Sequence, residues 1–150
     1  MARYVTTAKT DWDPETAFDY LAEFSNVADW DPGVSRGRSV SADPLEVGAQ
    51  FEVEASFLGR SVPLTYETVE IERPRRVTVR ADSGTFSSVD TLTFEPEPSG
   101  GTLVTYDADL RLKSALKLLD PLLAIGFNRI ADKARDGLRE RLAGDPPAAT

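Results

Sequence analysis

Polar and apolar residues alternate along most of the chain between Val34 and Lys113. A period of two is typical of β-strands, whose successive side chains point to opposite faces of a sheet. Residues 3–9 alternate more weakly but carry Tyr, Val and Thr, which favours a first strand. Turn residues divide the long segment and predict six further strands, at about 34–42, 48–58, 61–72, 75–82, 86–95 and 102–112. Their short connections predict an antiparallel meander.

Helical spacing occurs on both sides of this segment. Asp13-Pro14 is a typical helix start, because aspartate caps the first turn and proline has no amide hydrogen to leave unpaired. It predicts a short helix, followed by a second short helical turn that ends at Asp31-Pro32-Gly33. Asp120-Pro121 is a start of the same kind. It predicts a main helix from 121 to about 142, after a short turn at 115–119.

The main helix is the element that makes the fold predictable. An antiparallel sheet with one apolar face needs a cover, and only a helix of about 22 residues, roughly 33 Å long, is large enough. We therefore predict one α+β domain at 1–143, in which a curved seven-stranded antiparallel sheet surrounds the C-terminal helix. Two short helices follow the first strand, and a small-molecule cavity lies between sheet and helix. Gly144-Asp145-Pro146-Pro147 ends the helix, so we expect 144–150 to be a disordered tail.

Alternation also assigns residues to the inner face of the sheet. Three strands do so without conflict, and their inner residues are Phe51, Val53, Ala55, Phe57, Val77, Val79, Ala81, Val104, Tyr106, Ala108, Leu110 and Leu112. In the strand at 61–72, Leu64 and Tyr66 share one face, but Val69 and Ile71 fall on the other. A bulge near Glu67-Thr68 would reconcile the two halves and bend the sheet.

Asp90 is the most informative polar residue of the predicted sheet. It shares a face with Phe86, Ser88, Leu92 and Phe94. A carboxylate in an apolar wall is unfavourable unless it is paired or hydrated. Two interpretations stay open: Asp90 faces the cavity, or it lies at an open rim or is turned outward by a bulge.

The first half of the main helix carries more apolar residues than a cover requires. Between Leu116 and Ile130 apolar side chains surround most of the circumference, whereas after Arg129 they form a single stripe. The additional residues could pack against the short helices, line a pocket mouth, form a dimer or contact a lipid. We expect a monomer or a weak homodimer.

Composition excludes several kinds of site. The chain has no cysteine and no histidine, which rules out disulfides, thiolate nucleophiles and every histidine-dependent mechanism. No acidic run has EF-hand spacing, and we expect neither a metal nor a cofactor. The net charge of −8 disfavours binding of nucleic acid. Since there is no apolar run near 20 residues and no signal-peptide core, we expect no integral membrane segment and a cytoplasmic location.

Several segments, in their order and spacing, resemble one known superfamily. They are Asp13-Pro14-Glu15, Trp30-Asp31-Pro32, Val47-Gly48-Ala49-Gln50-Phe51, Phe57-Leu58-Gly59-Arg60, Leu64-Thr65-Tyr66-Glu67, Gly101-Thr102-Leu103-Val104-Thr105-Tyr106 and the closing Leu138 to Leu142. Over about residues 3–143 the chain resembles the START-like (SRPBCC) superfamily, and within it the bacterial polyketide cyclase/dehydrase and lipid-transport group. The resemblance implies the helix-grip fold with an internal tunnel for hydrophobic ligands. Members bind lipids, sterols, polyketides or plant hormones, and some cyclise or dehydrate polyketides.

We therefore expect a binding protein for a small apolar molecule such as a lipid or polyketide. An apolar cavity with a few orienting polar groups is sufficient for this function. The candidate wall residues are Trp30, Phe51, Val53, Phe57, Leu64, Tyr66, Val79, Leu92, Tyr106, Leu123, Phe127 and Ile130.

Two alternatives remain open. In a cyclase or dehydratase, Asp90 would be the base that removes a proton alpha to a carbonyl, and Tyr66 or Tyr106 would donate a hydrogen bond to the developing enolate. The absence of histidine, which enzymatic members often use, counts against catalysis. A protein or membrane-surface module would use the apolar residues near Leu118–Ile125, which only Lys113 and Lys117 flank with positive charge.

Overall fold

The computed structural model describes residues 2–57, 59–84, 86–113 and 120–148. The first part of the chain contains strand β1 (Ala2–Thr10), helix α1 (Pro14–Ala22), a 3-10 turn (Phe24–Asn26) and the short helix α2 (Val27–Trp30). The remaining elements are β2 (Val34–Ser39), β3 (Gln50–Phe57), β4 (Arg60–Glu72), β5 (Arg76–Asp82), β6 (Phe86–Pro96), β7 (Thr102–Leu112) and helix α3 (Asp120–Ala143). The predicted turn at 115–119 lies outside the described residues.

The strands within the described ranges form one antiparallel seven-stranded sheet in the order β1-β7-β6-β5-β4-β3-β2. Successive strands from β2 to β7 are neighbours, as a meander requires, and β1 closes the order by pairing with β7. Together with α3, this confirms the predicted α+β helix-grip fold. At the start of α1, the Asp13 carboxylate accepts a hydrogen bond from the Thr16 amide at 2.8 Å.

Two bulges contribute to the bend of the sheet. The β4–β5 register shifts between Thr68 and Glu70, which leaves Val69 as the extra residue. This bulge lies beside the predicted position, and beyond it Ile71 is partly buried against the core while Val69 is exposed. A second shift, between Val34 and Arg36 in β2, has no signal in the sequence pattern.

Strand β2 is shorter than predicted, since it ends at Ser39 rather than near residue 42. Side chains of the following loop bind backbone amides that a strand would need for its ladder. Ser41 Oγ accepts from the Gln50 amide at 2.8 Å, and Asp43 Oδ1 accepts from the Leu45 amide at 2.8 Å. Local side-chain bonds of this kind compete with strand pairing.

Helix α3 is held most tightly at its C-terminal end. Leu138 and Leu142 are buried in the core, and Thr10 Oγ1 donates to the Leu142 carbonyl at 2.7 Å. The indole Nε1 of Trp12 donates to the Gly144 carbonyl at 3.0 Å. Carbonyls at a helix C-terminus lack partners within the helix, so these two donors stabilise its end. The cavity lies along the part of α3 that precedes this end, from Phe127 to Leu138.

Candidate functional site

A cavity of about 150 Å³ lies between the inner face of the sheet and helix α3. Strands β1, β2, β3, β4, β6 and β7 line it, together with α2, the 3-10 turn and α3. Its walls are mainly apolar and aromatic, with a few polar side chains among them. This composition is typical of a site for a small hydrophobic ligand.

Most of the predicted site residues line this cavity. They are Trp30, Val53, Leu64, Tyr66, Asp90, Tyr106, Phe127 and Ile130. Three others do not: Phe51, Val79 and Leu92 are completely buried in the core behind the wall. Alternation predicts on which face of the sheet a residue lies, but not whether it packs beside the cavity or elsewhere along α3. These three residues therefore lie on the predicted face but away from the cavity. The side chains of Phe57 and Leu123 lie outside the described residues.

Asp90 faces the cavity, and the alternative of a rim or outward position is wrong. It is 5% exposed, and β6 pairs with both neighbours without a register shift around it. Two hydroxyls bind its carboxylate: Ser88 Oγ donates to Oδ1 at 2.8 Å, and the Tyr106 hydroxyl donates to Oδ2 at 2.5 Å. Tyr106 stands diagonally across the β6–β7 ladder, because its direct partner is Leu92. The carboxylate is therefore buried but paired.

Burial raises the pKa of Asp90 to about 6. The hydrogen bonds from Tyr106 and Ser88 favour the charged form and lower the pKa, while the nearby carboxylates of Asp31 and Asp107 raise it. Burial is the largest of these causes. A carboxyl group with such a pKa exchanges its proton near neutral pH, as a general base must.

The two predicted tyrosines lie on either side of Asp90. Burial and the neighbouring charge of Asp90 raise the pKa of Tyr66 and of Tyr106 well above that of free tyrosine, so both hydroxyls are protonated. The Tyr66 ring packs on Phe24 with centroids 4.6 Å apart, and the Tyr106 and Trp30 rings pack edge to face with centroids 5.7 Å apart. These rings position the hydroxyls at the cavity wall.

Asp31 is a lining residue that the sequence prediction missed. It follows α2 directly, and the Gly33 amide donates to its Oδ1 at 2.8 Å. Burial raises its pKa. The sequence explains Asp31 fully as the residue that ends a helical turn before Pro32, so no signal indicates its second role at the cavity.

Other missed lining residues do have a signal. Tyr4 and Thr6 alternate with exposed neighbours on β1, as inward residues should. On α3, Arg135 lies three residues before the buried Leu138, on the helix face that also lines the cavity. Its guanidinium contacts the carboxylates of Asp136 at 3.0 Å and Asp132 at 3.4 Å, and Asp132 also accepts the Tyr4 hydroxyl at 2.6 Å.

In the described part of the chain, no three acidic side chains come together in a way that could hold a metal ion. The described helices include none with the length and apolar character needed to cross a membrane.

The family model described as "Polyketide cyclase / dehydrase and lipid transport" matches residues 1–143. No curated protein sequence matches the chain. Among solved structures, a START superfamily protein from Mycobacterium smegmatis is similar at a TM-score of 0.76 and 14% identity, over 95% of this chain and 97% of that one. A protein from Thermus thermophilus has a TM-score of 0.73 and 19% identity, over 94% of this chain and 95% of that one. The Zhui aromatase/cyclase from Streptomyces sp. R1128 has a TM-score of 0.76 and 10% identity, over 93% of this chain and 92% of that one. At these identities the structures establish the fold.

Proposed function

The chain belongs to the polyketide cyclase / dehydrase and lipid transport family, and we propose that it binds one small hydrophobic molecule, of the lipid or polyketide class, in the cavity beside α3. The observation that carries the proposal is the cavity itself: about 150 Å³ of space with apolar walls and a polar cluster around Asp90. An engineered dry cavity of about this volume admits a benzene-sized molecule. A longer ligand would extend toward the opening.

A substitution that fills the cavity tests this proposal. Ala108 lines the cavity opposite Asp90 in the β6–β7 ladder. Ala108→Phe should occupy the space and reduce affinity for a probe such as toluene at least tenfold, because a well-packed interior has no room for both groups. Val5→Phe is the control, since Val5 lies on the neighbouring strand and is exposed.

The measurement is a titration with toluene followed by NMR shifts of the wall residues, alongside native mass spectrometry of protein purified from its host. Binding that Ala108→Phe removes and Val5→Phe preserves supports the proposal. Shifts that remain in both variants would place the probe elsewhere and contradict it.

A second function, as a polyketide cyclase or dehydratase, is favoured by one observation. The pKa of Asp90 is raised to about 6, and the group lies on the cavity wall between two protonated tyrosines. Asp90 would take a proton from the carbon alpha to a ligand carbonyl, and the Tyr66 hydroxyl would donate a hydrogen bond to the enolate oxygen, because Tyr106 already donates its proton to Asp90. Asp90→Asn should then abolish turnover of a polyketide, while the affinity of the protein for that polyketide changes little. Equal turnover in both proteins would eliminate Asp90 as the base.

A further inference from the structure

We propose that the molecule bound in the cavity carries a protonated amine, which Asp90 and Asp31 recognise, rather than a carboxylate or a phosphate. This inference rests on the proposed binding function and names the chemical class of the ligand. Three independent features of the cavity support it: the direction of its hydrogen bonds, its charge, and its aromatic rings.

Two of the hydroxyl groups around Asp90 donate their protons to its carboxylate. Ser88 and Tyr106 both donate to it, so toward a ligand each offers acceptor lone pairs. A carboxylate accepts about four hydrogen bonds, and Asp90 receives two from these hydroxyls. The cluster therefore has acceptor capacity left, and a ligand group that donates hydrogen bonds fits it. An ammonium group donates three.

The charges at the cavity also favour a cation. Asp31 and Asp90 come from separate elements, the end of α2 and the middle of β6, and both line the same cavity. Asp31 is close enough to raise the pKa of Asp90 by charge repulsion. Among the described lining residues the one basic side chain is Arg135, which already pairs with Asp132 and Asp136 on its own helix. An anion entering this space would meet two carboxylates without a free cation, an arrangement that burial makes unfavourable.

Aromatic rings complete the recognition site. Trp30 and Tyr106 form an edge-to-face pair, Phe24 and Tyr66 form a tilted pair, and all four line the cavity. The faces of aromatic rings attract cations, and proteins use clusters of aromatic rings to recognise ammonium groups. The rings and the carboxylates thus favour the same ligand charge.

Four molecules of nearly equal size test the inference: benzylamine, benzyl alcohol, benzoate and toluene. Their affinities for the full chain are measured by NMR titration at about pH 7.5. We expect benzylamine to bind about tenfold more tightly than benzyl alcohol, which is the effect of one charge-assisted hydrogen bond. We expect benzoate to bind more weakly than benzyl alcohol by a similar factor.

Variants then assign the effect to the carboxylates. Asp90→Asn should reduce the affinity for benzylamine about tenfold and change that for benzyl alcohol less than about twofold. Asp31→Asn is a second variant, expected to reduce benzylamine affinity selectively even if Asp90→Asn does not fold. Glu52→Gln is the matched control, because it removes one negative charge from an exposed pair with Arg38 outside the cavity.

The outcomes separate this inference from the function on which it rests. If toluene and benzyl alcohol bind but benzylamine gains no advantage, the amine inference is wrong and the binding function stands. If benzoate binds most tightly, the cavity favours an anion instead of a cation, and the amine inference is wrong. If none of the four binds, both proposals fail. If Glu52→Gln lowers the affinity for benzylamine as strongly as Asp90→Asn does, the preference for the amine is an effect of net charge, and the assignment to Asp90 is wrong.

Discussion

Asp90 combines two opposing influences on one carboxyl group. Removal from water favours its protonated form, while the hydroxyls of Ser88 and Tyr106 favour its charged form. Burial is the larger influence, so the pKa stays near 6 instead of falling below that of free aspartate. The two hydroxyl groups therefore limit the rise in the pKa of Asp90, and removing one of them should raise this pKa further.

Tyr106→Phe should raise the pKa of Asp90 above about 6, because it deletes a hydrogen bond that stabilises the carboxylate. The measurement is an NMR titration of the Asp90 side-chain carboxyl carbon. Tyr4→Phe is the control, since the Tyr4 hydroxyl lines the same cavity but donates to Asp132 instead. A lower or unchanged pKa in Tyr106→Phe would contradict the hydrogen-bond assignment.

The same group should make stability depend on pH. The pKa of Asp90 is about 6 in the folded chain and about 3.9 when unfolded, so the folded state holds the proton more tightly. Its contribution to stability is therefore largest at low pH and is lost as pH rises through about 6. Between pH 5 and pH 8, above the isoelectric point near 4.6, the wild type should lose roughly 1–2 kcal/mol relative to Asp90→Asn.

Urea unfolding of both proteins at the two pH values measures this difference. Comparing the change with pH, rather than the stability at one pH, cancels the effect of the new amide on Ser88 and Tyr106. Asp31, whose pKa burial also raises, contributes to both proteins alike. A difference that grows in the opposite direction would mean that the hydrogen bonds outweigh burial at Asp90.

At the residue scale the sequence predicts faces better than it predicts contacts. Alternation puts Asp90 on the same face as Leu92 and Phe94 but leaves open whether it faces the cavity, and the structure shows that it does. It does not reveal that Tyr106 reaches Asp90, because that contact depends on the β6–β7 register. Asp31 lay beyond prediction, since its position before Pro32 already had a sufficient local explanation.

At the scale of single elements, α3 approaches α2 so closely that only glycine fits at one position. A methyl group built on Gly137 would lie 1.9 Å from the Trp30 carbonyl oxygen, a backbone atom that cannot move aside alone. Trp30 also lines the cavity. The close approach of the two helices therefore helps to place one wall of the site.

Gly137→Ala should destabilise the chain by about 1–3 kcal/mol, the usual range for overpacking an interior contact. Gly126→Ala is a matched substitution in the same helix, where a methyl group would meet nothing within 4 Å. It should stabilise by up to about 1 kcal/mol, because alanine favours helix more than glycine does. Thermal unfolding of both variants checks the signs; destabilisation of equal size would mean that the contact with Trp30 is unimportant.

Elements were predictable where one pattern determined them. The β4 bulge followed from a change of face within a single strand, and its position was found to within one or two residues. The early end of β2 was not found, because it depends on Ser41 binding the backbone amide of Gln50 in β3 and on Asp43 binding that of Leu45 in the loop. Such bonds leave the hydrophobic pattern unchanged.

At the scale of the whole molecule, α3 has two different environments. Near its C-terminal end it is fixed by Leu138 and Leu142 in the core and by donors from Thr10 and Trp12. Earlier in the helix Ile125 is 58% exposed, while Phe127 and Ile130 face the cavity. The sequence predicted a change in apolar surface at Arg129, but the α3 residues that line the cavity run from Phe127 to Leu138, on both sides of it. Their position and the volume of the cavity depend on side-chain packing that periodicity does not determine.

This division predicts an uneven pattern of amide hydrogen exchange. Without ligand, amides at 127–131 should exchange faster than those at 139–142, because segments with fewer buried contacts open locally at lower free energy. Toluene at a concentration about 100 times its Kd should slow the first segment by up to roughly 100-fold, since binding requires the closed form. The difference in exchange rate between the two segments should become smaller when toluene binds. It should not change in Ala108→Phe, whose cavity is filled. Equal exchange in both segments without ligand, or a difference in rate that toluene leaves unchanged, would show that residues 127–131 are no less stable than the anchored end of α3.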